Sequence, residues 1–467
     1  MSRFAPSPRL HGGPVRIARD AWLPWAGVVG LVALVAVVPV AVTTRSNIAL
    51  LALAGIMGLV AIVMIGPELC ICFGLLIGLG LAPFLDPVRL AAGGIPIWLF
   101  GFALAAMVMF AVFAIRALEG ASASPVQPSV LLWLLFALLA FTVIRFAQSS
   151  PMDTPSLAAP FVVLPLAALL TFAWLLHDDA LVQLQRVLPI VIALVTAWAL
   201  MYIAGAGGCG ACQQWVSTYG TGEGLLGAGS RLYTWGQEAF IAFVLLAAAR
   251  ALRKPTALWI GLTVIGIACT LLQNSRAQLV ALFGGLAVLL IWRLHHARAA
   301  TALLLVVLAG LGVYAVLTSS VGDHIIAGYR GLSEGTGTGA YRLNLLSEVR
   351  QSWSLLGTGI SYRTGDIYNV DLGIPNTIVI IGWVGAALQT AAIVAGVVRG
   401  VVSRSAVGIA FASVLVMLLL SRPSLPFIET GPGAVAYGLT LGAVASLYVR
   451  SAATADTFAA LRRGMIG

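Results

Sequence analysis

Four arginines and two carboxylates are the residues of this chain best suited to chemistry. Arg231, Arg276, Arg342 and Arg363 carry planar, permanently charged guanidinium groups, which grip phosphate oxygens through paired N–H donors as lysine cannot. Asp371 and Glu238 could take a proton from a nucleophile. Arg276 lies in LLQNSRAQLVALFGG, residues 271–285, between long apolar runs. A charge at the centre of a helix in hydrocarbon costs roughly 2.5–3.5 kcal/mol on insertion scales. The turn residues Gln273, Asn274 and Ser275 beside it instead place Arg276 at a membrane boundary, where a long side chain can snorkel to water. The plain reading of any one such arginine is an interfacial anchor. Anion binding is the sharper one.

The elements that must position these residues are apolar helices. The chain is 60% hydrophobic and 9% charged, with a mean hydropathy of +1.03, far from the roughly 25% charged residues of soluble domains. A spanning helix needs about 20 mostly apolar residues. Runs of that kind lie at 22–42, 48–66, 69–85, 95–117, 130–146, 157–176, 182–205, 232–252, 256–272, 277–292, 300–318, 377–398, 406–420 and 433–449. The expected fold is therefore an all-α polytopic membrane protein of about 12–14 transmembrane helices.

Charge sets the orientation. Arg3, Arg9, Arg16 and Arg19 precede the first run, which is too long for a signal-peptide core, and so the N-terminus is expected in the cytoplasm. Alternation from there puts Arg250/Arg253/Lys254, Arg293/His295/His296/Arg298, Arg399/Arg404 and Arg450/Arg462/Arg463 inside. The net charge of +10 is then mostly an orientation signal, and basic residues in short turns without interleaved aromatics argue against nucleic acid as a partner. Arg45, Arg89, Arg145, Arg231, Arg276, Arg330, Arg342, Arg350, Arg363 and Arg422 fall outside, where the positive-inside bias should have removed them.

The layout that follows is a cytoplasmic tail over 1–21, a helical bundle over 22–318 with an outer loop at 206–231, and a long outer loop over 319–376. C-terminal helices over 377–449 and a cytoplasmic tail over 450–467 complete it. The first loop is rich in glycine and holds Cys209 and Cys212, which a small disulfide staple in an oxidising compartment would explain. The second contains GLSEGTGTGA, a flexible stretch, and then YRLNLLSEVRQSWSLLGTG, which reads as a helix ended by Gly357. At about 100° per residue, Arg342, Leu345, Leu346, Val349 and Trp353 share one face, and Ser347 and Glu348 point away.

Ser275-Arg276 opening a helix, a long outer loop with Arg342 and LLGTGIS, and the re-entering segment DLGIPNTIVIIGWVG form a recognisable order. Over about residues 257–392 the chain resembles the C-terminal domain of the O-antigen ligase and polymerase superfamily. These are membrane glycosyltransferases that use polyprenyl-diphosphate-linked glycans. The resemblance implies a GT-C-like bundle in the plasma membrane with a catalytic cavity on its periplasmic or extracellular side. It also implies arginines cradling the donor diphosphate, a glycan or lipid-glycan acceptor, contacts with membrane lipids, and a chain-length regulator as a further partner. By motif, Arg276 takes the Ser-Arg position, Arg342 the loop-helix arginine and Arg231 the arginine before a membrane helix. Gly357 and Gly359 match the glycine turn, and Gly382 and Gly385 the glycine-bearing helix. Ligases of the family carry a His-Asn ahead of that helix. Here Asp371, or with a gap Pro375-Asn376, stands in its place, which tilts the reading towards a polymerase.

Such transfer needs charge stabilisation on the leaving diphosphate and a base for the acceptor hydroxyl. Every outer cation is arginine, since the single lysine is Lys254. Outer carboxylates are scattered, and Asp366 and Asp371 form no DxD pattern, so no metal or other cofactor is expected. Asp371, just before a membrane helix, is the first candidate base, with turn or helix capping as its plain alternative. Glu238, near the outer end of its helix, is the second, with a structural bridge to Arg231 as its alternative. A polysaccharide-lipid transporter or flippase remains the rival of another class. Its family habits are midplane charges and helices broken in corresponding halves.

Overall fold

The computed structural model of the protein describes chiefly residues 97–118, 129–147, 155–175, 237–272, 276–295, 344–347, 349–358, 373–423 and 431–464. Among these the long elements are all helical: α1 (Ile97–Leu118), α2 (Val130–Ala147), α3 (Pro155–Leu175), α4 (Gln237–Arg253), α5 (Ala257–Leu272), α6 (Arg276–His295), α7 (Gly373–Val402), α8 (Ala406–Ser421) and α9 (Gly431–Gly464). Among the described residues, three stretches, Val130–Ala147, Ala277–His295 and Gly373–Val402, are long and apolar enough to cross a membrane. The expected spans before residue 95, those at 182–205 and 300–318, and the outer loop with Cys209 and Cys212 lie largely or wholly outside the described residues.

Apolar residues form helices here because in hydrocarbon the backbone must satisfy its own polar groups. The surface bears the same mark. On α2, Leu131, Leu132, Leu135 and Leu138 are buried, whereas Val130, Trp133, Phe136, Val143 and Ile144 are exposed. On α5, Leu258, Ile260 and Val264 are exposed too. Apolar faces of this extent suit lipid rather than water.

The core joins α3, α4, α8 and α9 through Leu164, Ala168, Phe240, Val244, Val414, Leu418, Tyr437 and Leu441. Small residues set the closest approaches. A methyl on Gly438 would lie 2.6 Å from the Leu164 carbonyl oxygen and Ala167 Cβ, and one on Gly442 would overlap the Ala168 carbonyl. Gly438 therefore sits beside 164–168 and Gly442 beside 168–172, so α3 and α9 run parallel, packed by a small-xxx-small pattern. In the same way Gly396 meets Leu415 and Gly400 meets Gly408 and Ala412, so α7 and α8 are antiparallel. The short turn 254–256 folds α5 back on α4, where Gly266 meets Val244. These relative directions are the ones that alternating crossings require.

Helix ends match the expected spans to within a few residues, with three differences. First, α9 continues to Gly464, through the segment read as a tail. Second, α7 starts at Gly373, inside the segment read as loop, and its helix is broken at Gly382, where φ is 72° and ψ 177°. Third, the loop helix ends in a turn at Gln351–Ser352, before Gly357. That glycine serves a contact with α7 instead of a helix cap.

Candidate functional site

The break in α7 is bridged by residues 354–358 of the long loop. In an unbroken helix the Val379 carbonyl would accept from Trp383 N–H and the Ile380 carbonyl from Val384 N–H. Here Trp383 N–H donates to the Ser354 carbonyl at 3.2 Å and Val384 N–H to the Leu355 carbonyl at 3.1 Å. In exchange, Thr358 N–H and Thr358 Oγ1 donate to the Val379 carbonyl at 2.8 and 2.9 Å. The segment 354–358 thus supplies partners for both stumps of the broken helix. An unsatisfied backbone group at membrane depth would cost several kcal/mol.

Two glycines permit the docking. Gly357 has φ 77° and Gly382 φ 72°, both in the left-handed region that glycine tolerates. A methyl on either would overlap the backbone nitrogen of the other. Arg145, in the last turn of α2, donates from Nη2 to the Gly357 carbonyl at 2.9 Å. Leu345 and Val349 of the loop helix pack on Val379, with Leu346 and Trp353 at the edge and Ser347 exposed, so its apolar face lies on α7 as the wheel predicts. Trp353 and Trp383 meet edge to face, their centroids 5.3 Å apart and planes at 82°.

A second arginine brackets the break. Arg422 follows α8 and is 1% exposed. Its carbonyl accepts from Ile374 N–H at 3.0 Å, its Nη1 donates to Thr390 Oγ1 at 2.5 Å, and its Nη2 donates to Gln389 Oε1. Ile374 and Gln389 would be about 22 Å apart along a straight helix, more than one arginine could bridge. Bending at Gly382 brings both limbs to the same residue.

This end of the bundle also receives two residues anticipated as functional. Glu238 is in the first turn of α4 and Arg276 is the first residue of α6. Both helix starts lie away from the Lys254 turn, at the end where α2 finishes and α7 begins. Their side chains lie outside the described residues, as do Arg231, Arg342, Arg363, Gly359 and Asp371 entirely; Asp371 precedes the first residue of α7 by two positions. In the sequence, Arg145 and Arg422 stand out only as two of the surplus arginines expected on the outer side. That surplus was the signal for both, but contacts 212 and about 32 residues away in sequence could not be read from it.

The described part of the site offers backbone docking, two arginines fixed by hydrogen bonds and a tryptophan pair. No group of three or more His, Cys, Asp or Glu that could hold a metal ion occurs among the described residues. Compared with known proteins, the chain matches no family model and no curated protein.

Proposed function

We propose that the protein is an integral-membrane glycosyltransferase that extends or transfers glycan from a polyprenyl-diphosphate-linked donor at the outer face of the plasma membrane. The observation that carries this reading is the docking of the Gly357 turn onto α7 at Gly382. Both belong to the segment that resembles the O-antigen ligase and polymerase superfamily, and the docking fixes the loop that bears Arg342 against the end of the bundle that bears Arg276. In the proposed reaction the acceptor hydroxyl attacks the donor's anomeric carbon and a new glycosidic bond forms. The bond from that carbon to the diphosphate oxygen breaks, and Asp371 takes the hydroxyl proton. Arg231, Arg276, Arg342 and Arg363 neutralise the leaving diphosphate, so no metal is needed. The residue standing where ligases carry histidine favours polymerase over ligase.

A transporter of lipid-linked polysaccharide is the second reading, favoured by the broken α7, since discontinuous helices line substrate sites in transporters. One experiment separates the two. Purified protein given lipid-linked donor and a glycan acceptor, with a chelator present, is expected to make longer glycans and release polyprenyl diphosphate. Movement of intact donor between leaflets without glycan transfer identifies the transporter. Transfer lost to chelator and restored by a divalent cation rejects the arginine-only mechanism.

A further inference from the structure

A cavity of about 130 Å³ lies at the opposite end of the bundle from the glycine docking. That end holds the α4–α5 turn and the start of α8: Arg250, Arg253 and Trp259 line the cavity on one side and Ala406 and Val407 on the other. It extends along α4 from Arg253 to Ala242, about 16 Å at the helix rise. Its deep walls are apolar, with Ala242, Phe243, Ala436 and Leu439.

Its polar atoms are the unusual part. Thr171 and Trp174, one turn apart on α3 near its C-terminal end, are 1% and 4% exposed and line the cavity. Thr171 Oγ1, Trp174 Nε1 and Arg250 Nε are buried without a hydrogen-bond partner. The helical threonines 142, 263, 270, 377, 390 and 440 each return their hydroxyl to the carbonyl four residues earlier, which Thr171 does not. Buried polar groups are nearly always satisfied, so three in one cavity call for a partner. Two of the three, Trp174 Nε1 and Arg250 Nε, can only donate. The missing partner is therefore rich in acceptors, and Arg250 with Arg253 at the mouth favours an anion. Water would satisfy the donors but not the apolar depth, because cavities with apolar walls stay dry.

We infer that this cavity binds one anionic phospholipid, its phosphate between Arg250, Trp174 and Thr171 and part of an acyl chain lying along α4. An acceptor-rich charged head on an apolar chain is the chemistry that matches both ends of the cavity. A free phosphate would leave the depth empty, and a zwitterionic lipid would bring a positively charged ammonium to two arginines. The site is separate from the residues assigned to glycan transfer and does not rest on that assignment.

The test uses the purified full chain in detergent, titrated with dioctanoyl phosphatidylglycerol, dioctanoyl phosphatidylcholine or inorganic phosphate while its unfolding midpoint is followed. Phosphatidylglycerol alone is expected to raise the midpoint saturably. Thr171→Val, Trp174→Phe and Arg250→Gln each remove one polar partner and keep most of the shape. Each should weaken the phosphatidylglycerol affinity by roughly tenfold. The near-isosteric Thr171→Val keeps the test open should Arg250→Gln not fold. Equal responses to the two lipids, an equal response to inorganic phosphate, or unchanged affinity in the variants that fold would each overturn the inference.

Discussion

Gly357 and Gly382 lie backbone against backbone, each in the left-handed region and each leaving no room for a methyl on the other. Gly357→Ala and Gly382→Ala should therefore destabilise the protein by about 1–3 kcal/mol each from backbone strain alone. Because either change already undocks the loop, the double variant should cost less than the sum, with a coupling of about 1 kcal/mol or more. Unfolding midpoints of the four proteins in detergent measure this. Additive losses would show that the two glycines act separately.

Arg422 holds both limbs of α7. Arg422→Met keeps the unbranched apolar stem but removes the guanidinium and leaves Gln389 and Thr390 without their charged donor, at about 1.5–3 kcal/mol per hydrogen bond lost. Hydrogen exchange should speed up selectively in residues 374–381, the limb beyond the bend. An exchange pattern identical to wild type would remove Arg422 from the support of the break.

Arg276→Lys and Arg342→Lys keep the charge and lose the planar fork. As diphosphate ligands, both should cut glycan transfer at least tenfold, with protein levels near normal. As interfacial anchors, lysine would serve almost as well. Near-normal transfer by both variants would end the clamp assignment.

Asp371→Asn preserves shape but cannot accept a proton. If Asp371 is the base, turnover should drop by about 10²- to 10⁴-fold with donor affinity retained. If it caps a turn or helix, asparagine caps as well and the variant should be nearly silent. A joint loss of turnover and affinity would instead make Glu238 the preferred base.

Orientation can be checked with single thiols. A cysteine at Ser275 should react with an impermeant reagent from outside the cell, and one at Ser403, beside the α7–α8 turn, only after the membrane is opened. The reverse pattern would invert the arrangement and move every proposed site residue to the cytoplasm.

The described helices were legible in the sequence because apolar runs and basic turns are local signals. Residues 406–420 became α8, ending one residue later at Ser421. The apolar face of the loop helix was legible for the same reason, since Leu345, Leu346, Val349 and Trp353 lie within a few turns of one another. The partners were not. That Arg422 would be buried against Gln389 and Thr390, or that Arg145 would hold the Gly357 carbonyl, depends on which helix ends meet. Periodicity carries no record of that. The break at Gly382 was hidden likewise, because a glycine in an apolar run reads equally as packing or as bending. Arg231, Arg342, Arg363 and Asp371 rest on sequence alone, and Arg342→Lys and Asp371→Asn above test two of them.

The parallel pairing of α3 with α9 sets a schedule for biogenesis. Gly438 and Gly442 press on the backbone of α3, yet more than half of the chain separates the two helices. At a synthesis rate of about 5–20 residues per second, α3 would wait on the order of tens of seconds in the bilayer before α9 emerges. During that interval its Leu164, Ala167 and Ala168 surface, on a helix that contains Pro160 and Pro165, faces lipid or another helix. Ribosome pausing or loss of a membrane chaperone in that window should trap the nascent chain in a protease-sensitive form, even though every earlier helix has already been inserted.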